Sequence, residues 1–305
     1  MIDCSIIVVS YRSADDLAAL IDSVPEAVGA LSWELIVVDN VPDGDSSLDE
    51  IVLGRSAVQL VRAGANLGYS GGINRGLAAA TASRYTVILN PDLTLEPGSI
   101  ERLARACEVD GVAASVPLIL DDHGVPQPSL RREPSLLGSL GEALFGDHWS
   151  QRPAALTEMV RDARAYQQAR DIEWATGAAL MMRADVAERV GDWDADRFFL
   201  YSEETDYCRR IRATEGTVRF EPSAVVRHRG SGSGSSPQLD ALREVNRLRY
   251  FAKWHDDSAG RLSTALFAGV LLLHHALRAH RPDSRAALLA LVSRSHRAAL
   301  PGGRR

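Results

Sequence analysis

Thr86-Val87-Ile88-Leu89-Asn90-Pro91-Asp92 decides the fold. Its first four residues are β-branched or apolar on both faces, as in a strand buried inside a parallel sheet. The run then ends in a proline-stiffened turn carrying one amide and one carboxylate. Working outward, similar runs occur at Ser5–Ser10, Leu35–Asp39, Val58–Val61 and Val112–Val116. Helical patterns separate them. One starts at Ser13, where Asp16 three residues on suggests a capping box, and runs to about Val24; others span 73–82 and 99–108. This alternation predicts a doubly wound α/β sheet with right-handed crossovers. Ligands in such sheets sit at the carboxyl ends of strands, and Asp39, Asn66 and Asp92 all fall just past one.

The bulk properties narrow the classes. At 305 residues the chain is long enough for one large domain, or one with an appended subdomain. A net charge of -6 argues against general nucleic-acid binding. The C-terminal segment is nevertheless basic, with Lys253, Arg261, Arg278, Arg281, Arg285, Arg294, Arg297, Arg304 and Arg305. Cys4, Cys107 and Cys208 fit neither a disulfide framework nor a zinc site, so a reducing, cytoplasmic compartment is expected. The first residues lack the pattern of a signal peptide. The longest apolar run, 264–273, is shorter than the ~20 residues of a membrane span. From about 121 to 171 the pattern loosens into a loop with short helices. Short strands are expected at 217–220 and 224–227, then a flexible Gly/Ser run at 230–236 and helices from Gln238 on.

Several groups could carry chemistry. Asn66-Leu67-Gly68-Tyr69-Ser70-Gly71-Gly72-Ile73-Asn74-Arg75-Gly76 lets the backbone approach a ligand, and the helix start behind it favours a diphosphate. Alone it is equally an ordinary turn and helix start. Asn90-Pro91-Asp92 could share a Mg²⁺ or Mn²⁺ ion with a diphosphate, or be a plain Asx-Pro turn. Glu203, Glu204 and Asp206 fall in the first turn of a helix, where the macrodipole favours carboxylates and keeps a base ionised. His228 follows a strand and precedes the Gly/Ser run, a position open to metal ligation. His274 and His275 are adjacent and poorly placed to share a metal.

In order, these residues resemble the inverting nucleotide-sugar glycosyltransferases of the GT-A fold, glycosyltransferase family 2, and within it bacterial rhamnosyltransferases. The resemblance covers roughly 3–236 and rests on Val37-Val38-Asp39-Asn40, Asn66-Leu67-Gly68-Tyr69, Asn90-Pro91-Asp92, Gly177-Ala178-Ala179-Leu180-Met181 and Phe198-Phe199-Leu200-Tyr201 with Glu203. It implies a Rossmann-like, mostly parallel sheet flanked by helices over 1–236 and a C-terminal helical extension with a basic tail over 237–305. It implies that Ser10, Tyr11 and Asp39 hold the nucleoside, that Asn66, Gly68 and Asn74 lie near ribose and diphosphate, and that Asn90 and Asp92 match the family's Asp-x-Asp motif. Asp92 and His228 would ligate Mg²⁺ or Mn²⁺, and Trp174 and Gly177 would line the acceptor side. The implied donor is dTDP-L-rhamnose, or else a UDP-sugar. The implied acceptor is a glycan, lipid-linked or small-molecule hydroxyl in cell-wall or polysaccharide synthesis.

The sequence departs from the family pattern at two positions. Asn90 replaces the motif's first acid, and Glu204 stands where the base is usually the shorter aspartate. Glu203 or Asp206 could take that part instead. The second departure motivates another class, a nucleotide-sugar-binding or scaffold protein with weakened chemistry. A nucleotidyltransferase would need a glycine-rich loop after the first strand, and Ser10-Tyr11-Arg12-Ser13 has none. The apolar stretch 262–280, followed by arginines, could lie on an anionic membrane surface at the inner face of the cell membrane, or pack as an ordinary helix on the catalytic unit.

Overall fold

The first part of the chain alternates as β1 (Ile2–Ser10), α1 (Ala14–Val28), β2 (Trp33–Asp39), α2 (Ser47–Val52), β3 (Val58–Arg62), α3 (Gly68–Leu77) and β4 (Ser83–Leu89). Next come β5 (Leu93–Leu95), α4 (Ser99–Cys107), β6 (Val112–Leu120), β7 (Leu130–Arg131), α5 (Leu136–Phe145), β8 (Arg170–Ile172) and β9 (Trp174–Ala175). β10 (Ala179–Arg183), α6 (Ala184–Val190), α7 (Glu203–Ala213) and β11 (Thr217–His228) complete the sheet region. Four helices follow: α8 (Pro237–Lys253), α9 (Ser258–Ala276), α10 (Pro282–Val292) and α11 (Arg294–Ala298). This computed structural model describes residues 1–146, 148, 149, 151–214, 216–228, 236–256 and 258–303, without the side chain of Ser258. Most of the expected Gly/Ser run, and Arg304 and Arg305 of the basic tail, lie outside the described residues.

The large sheet runs β3-β2-β1-β4-β10-β6-β11-β5, with β8 on β11; β7 and β9 form a separate pair. β1 lies between β2 and β4 and is parallel to both. Successive side chains of a strand point to opposite faces. Cys4, Ile6 and Val8 therefore enter a core with α1 and α4, while Ile7 and Val9 enter a second with Ile73 of α3. Gly76 allows α3 to lie close to β1, because a Cβ there would strike the side chain of Ile7.

Local readings and structure part in a few places. Ser13 does not cap α1 with its side chain; its hydroxyl is 3.1 Å from that of buried Ser10. α3 starts at Gly68, several residues before the apolar periodicity suggests. β10 runs antiparallel to both β4 and β6, so the sheet is mixed. β11 is one long strand rather than two. Its register on β6 shifts between Glu221 and Val225, and Pro222, which has no N–H for the ladder, lies in that bulge.

The helices from Pro237 on have a core of their own around Phe251, Phe267, Leu271 and Ala287, with Phe251 and Phe267 stacked at 4.1 Å. α8 also grips the sheet region. Buried Asn246 donates to the carbonyls of Leu200 (2.8 Å) and Tyr201 (3.4 Å). Lys253 pairs with Asp194 and Asp206, and the Trp254 indole donates to Asp206. The outer side of α9 exposes Leu262, Leu266 and Leu273 at helical spacing, and Leu277, just past its end, is exposed as well. Among the described residues no helix is long and apolar enough to cross a membrane.

Candidate active site

The turns after β1, β2, β3 and β4, the end of β11 and the start of α7 open onto one cleft of about 1130 Å³. The strand pairing brings the metal candidates together. β5 follows the Asn90-Pro91-Asp92 turn and pairs antiparallel with β11, with His228 opposite Leu93. Asp92 is therefore next to His228, and Asp92 Oδ2 lies 3.2 Å from His228 Nε2. Both are largely covered, with side-chain exposures of 5% and 18%.

A short relay joins this turn to the acidic pair. The Tyr69 hydroxyl donates to Asn90 Oδ1 at 2.8 Å, so Asn90 helps to fix the cleft wall. The Asn90 N–H donates to the Ala178 carbonyl, extending the β4–β10 ladder. The neighbouring Gly177 N–H donates to Glu204 Oε1 at 3.2 Å. Burial pushes the Tyr69 phenol well above its ordinary value, and the charges of Glu204, Glu203 and Asp92 push it further. Tyr69 and these three carboxylates line the same cleft, where their charges act on one another.

Glu203 and Glu204 begin α7. Burial, and then the charge of Glu204, hold the Glu203 carboxyl well above the usual carboxylate range. Burial also raises Glu204; backbone hydrogen bonds and the Arg131 guanidinium partly offset the rise. The expected ionising effect of the helix start is thus outweighed by desolvation. Glu203 Oε2 and Glu204 Oε2 are buried without a hydrogen-bond partner among the described residues. The turn ahead of them is strained, with Tyr201 at φ 72° and Ser202 at φ 69°. Among the described residues, the third non-glycine with positive φ is Arg12, and all three line the cleft. Strain of this kind collects at functional sites.

The other expected site residues divide. Tyr11, Asn66, Gly68, Trp174 and Gly177 line the cleft. Gly68 has φ +74° and abuts Phe199, whose carbonyl accepts from the Tyr69 N–H at 2.7 Å. Ser10, Asp39, Asn74 and Asp206 do not line it. Asp39 is fully buried; it accepts from the N–H groups of Val41 (3.0 Å) and Asp45 (2.7 Å) and pairs with Arg62. Asn74 exchanges two hydrogen bonds with the Trp193 backbone, at 2.8 and 2.9 Å. Asp206 is fully buried among Arg210, Lys253 and Trp254, where it anchors α8.

The cleft also contains residues that sequence reasoning missed. Asn40 accepts from the Leu67 N–H and donates to the Gly68 carbonyl, each at 3.0 Å, which ties the turns after β2 and β3. Its place beside Asp39 at a strand end was the available signal. Arg131 and Thr176, in the same part of the cleft as Trp174, had none, because the β7–β9 pairing joins segments far apart in sequence.

Comparison with known proteins defines the class first. The fold matches solved GT-A glycosyltransferases. One is GalNAc-T7, solved with UDP, GalNAc and Mn²⁺, at TM-score 0.57 and 16% identity, covering 85% of this chain and 51% of that one. Another is S. aureus TarS, at TM-score 0.53 and 12% identity, covering 98% and 83%. The chain belongs to glycosyl transferase family 2, whose model matches residues 5–185. Among curated proteins it is 32% identical over 192 residues to an N-acetylglucosaminyl-diphospho-decaprenol L-rhamnosyltransferase of Mycobacterium tuberculosis (strain CDC 1551 / Oshkosh), covering 59% of this chain. It is 29% identical over 218 residues to a low-salt glycan biosynthesis hexosyltransferase of Haloferax volcanii, covering 69% of this chain. In both cases the match spans 62% of the relative's own length.

The donor set can be tested against a cation. Asp92 and His228 offer a hard oxygen and an imidazole nitrogen side by side. Among the described residues no group of three or more His, Cys, Asp or Glu could enclose an ion. Two protein ligands suit a cation that takes its other ligands from diphosphate and water, as hard divalent ions do.

Proposed function

We propose that this chain transfers a sugar, with inversion, from a nucleoside-diphosphate donor to a hydroxyl of a lipid-linked or glycan acceptor in cell-wall or polysaccharide synthesis. dTDP-L-rhamnose is the first choice of donor and a UDP-sugar the second, a preference supported by the similarity to the mycobacterial rhamnosyltransferase. One observation carries the reading: the Asp92–His228 pair and the Glu203–Glu204 pair face a single cleft, linked through Tyr69, Asn90 and Gly177.

Glu204 is the base. Gly177 holds its Oε1, which leaves Oε2 to take the proton of the acceptor hydroxyl. The acceptor oxygen bonds to the anomeric carbon from the face opposite the leaving diphosphate, which departs with the electron pair of the broken C–O bond. A carboxylate raised toward neutral pH is a stronger base once ionised. Asp92 and His228 hold Mg²⁺ or Mn²⁺, which when bound neutralises charge on the diphosphate. Tyr11, Arg12 and Asn66 line the nucleotide end, and Trp174 and Gly177 the acceptor end. Residues 1–236 form the transferase unit. Residues 237–305 form an extension that rests on the inner face of the membrane through the outer leucines of α9 and the arginines near it.

The test is turnover of dTDP-rhamnose and UDP-sugars with and without Mn²⁺. Asp92→Ala should lower kcat by about 10²-fold or more, and unchanged turnover refutes the metal assignment. Glu204→Gln should cost a similar ~10²–10⁴-fold while sparing donor binding, and full activity refutes the base. Donor binding without turnover in the unaltered protein would favour the weakened, scaffold-like reading.

A further inference from the structure

The C-terminal extension reaches the cleft through the turn after α11. Leu300-Pro301-Gly302-Gly303 has the sequence of a type II turn, with proline second and glycine third. The geometry agrees: the Gly303 N–H donates to the Leu300 carbonyl at 2.8 Å, and Gly302 has φ +68°. Leu300 packs against the core of the four C-terminal helices. Gly303 lies so close to the end of α11 that a Cβ there would strike the Arg297 carbonyl. Between these two anchors, Pro301 lines the cleft.

Gly302 rests on Phe199. A Cβ at Gly302 would fall 2.5 Å from Phe199 Cβ and 2.6 Å from its Cγ. The donor turn approaches the same side chain: a Cβ at Gly68 would fall 2.6 Å from Phe199 Cδ2 and 2.8 Å from Cγ. Two left-handed glycines from distant parts of the chain thus meet at one ring. Neither position accepts a side chain, because space and backbone conformation both exclude one. The Phe199 carbonyl accepts from the Tyr69 N–H at 2.7 Å, and the chain runs on from Phe199 into the strained turn ahead of Glu203. Phe199 is therefore the point where the donor turn, the segment leading into α7 and the C-terminal turn come together.

We infer that the 300–303 turn is a wall of the donor subsite: Pro301 bounds the nucleoside-diphosphate sugar, and Gly302 seats Phe199 against the donor turn. The inference rests on the transferase reading above and deepens it, because it makes the helical extension part of the donor site. Gly302 is a positioning residue, acting through Phe199 on Gly68 and Tyr69. Donor binding and docking of the turn are then coupled, and the coupling is reciprocal: the donor stabilises the docked turn as much as the docked turn strengthens donor binding. A β-branched residue at φ +68° disfavours the docked turn, and the apparent affinity for donor falls with the docked fraction.

The test compares the full unaltered chain with Gly302→Val, Pro301→Ala and a control in the same extension, Gly269→Ala, whose added Cβ meets nothing within 4 Å. Donor binding and donor turnover are measured with dTDP-rhamnose and UDP-glucose, beside Tm and hydrogen exchange at the Gly303 amide. Gly302→Val should raise donor Kd and KM about tenfold, the strain of a left-handed β-branched residue expressed as a ratio. Its kcat at saturating donor should stay within about twofold, since Gly302 touches no reacting group. Pro301→Ala should raise donor KM by less, and Gly269→Ala should leave it unchanged. Added donor should slow exchange of the Gly303 amide in the unaltered protein, and more weakly in Gly302→Val. Unchanged donor affinity in Gly302→Val would overturn the inference, as would exchange at Gly303 that donor does not slow. A fall in Tm and kcat with donor KM unchanged would mark a purely structural turn and overturn it too. Should Gly302→Val not fold, Pro301→Ala decides, and a donor KM equal to that of Gly269→Ala overturns the inference. In all these cases donor turnover by the unaltered protein leaves the transferase reading standing, whereas its failure to bind or turn over either nucleotide sugar sinks that reading itself.

Discussion

Asn246→Leu tests whether α8 holds in place the turn that leads into the proposed base. The Asn246 amide donates to the Leu200 carbonyl at 2.8 Å and to that of Tyr201 at 3.4 Å, where Tyr201 is the first of two consecutive left-handed residues ahead of the Glu203–Glu204 pair. Leucine has similar bulk and no donor. An acceptor stranded by removing its partner costs about 1–3 kcal/mol, and the longer contact adds less, so the total is about 2–3 kcal/mol. At ~2–4 °C per kcal/mol for a large domain, Tm should fall by roughly 5–10 °C. The activity loss should be larger than the stability loss. Once unpinned, the turn can relax from its left-handed conformation, and a displacement of ~1 Å at a catalytic group can cost ~10²-fold in kcat. Donor affinity, set at the opposite end of the cleft, should hold. The assay is thermal melting beside kcat and a donor binding curve. A variant melting within about 1 °C of the parent would refute the hydrogen-bond argument. One that melts lower yet retains full kcat would refute the link between α8 and the base.

Glu203 supplies a pH test. Burial and Glu204 raise its folded value above the ordinary 4.5. The folded state therefore keeps this proton to higher pH than the unfolded chain does. The resulting stability is complete below the unfolded value and is lost as pH rises through the folded one. Glu203→Gln, which cannot ionise, should melt higher than the parent at pH 8, with little difference at pH 4; an equal gap at both would count against a buried proton. Gly68→Ala places a Cβ against the Phe199 carbonyl at φ +74° and should cost about 2–3 kcal/mol and weaken donor binding, measured by denaturant titration and thermal shift. Leu262→Asp with Leu266→Asp should abolish flotation with anionic vesicles while leaving Tm nearly unchanged, because both leucines are solvent-exposed; undiminished flotation would remove α9 as the contact.

What could be read from the sequence depended on how far apart the deciding contacts lie. β1, β2, β4 and β6 announce themselves because a strand buried on both faces needs a nearly unbroken apolar run, whereas β3 is a half-exposed edge strand. The direction of β10 does not appear in its composition, since parallel and antiparallel strands bury the same residues. Asp206 illustrates the limit at the site. As a first-turn acid it looks like Glu203 and Glu204; only Lys253 and Trp254, a whole helix away, separate it from them. Asp39 and Asn74 sit at strand-end and helix positions that suggest ligand contact, yet local backbone amides and the Trp193 loop occupy them. The macrodipole of α7 favours an ionised pair, but burial, which is set by the whole fold, outweighs it.

The antiparallel β10 has a consequence for making hybrids. The family segment ends at 185, just after this strand, and it leaves the acidic pair and His228 on the far side. A chimaera joined there would bring together a donor turn from one parent and an acid-bearing helix from another. The Gly177–Glu204 bond would then cross the junction between parents. Exchanging specificity by domain shuffling thus requires the graft to preserve this amide-to-carboxylate contact together with the Tyr69–Phe199 and Asn74–Trp193 hydrogen bonds and the pairing of β11 on β5 and β6, which cross the same junction.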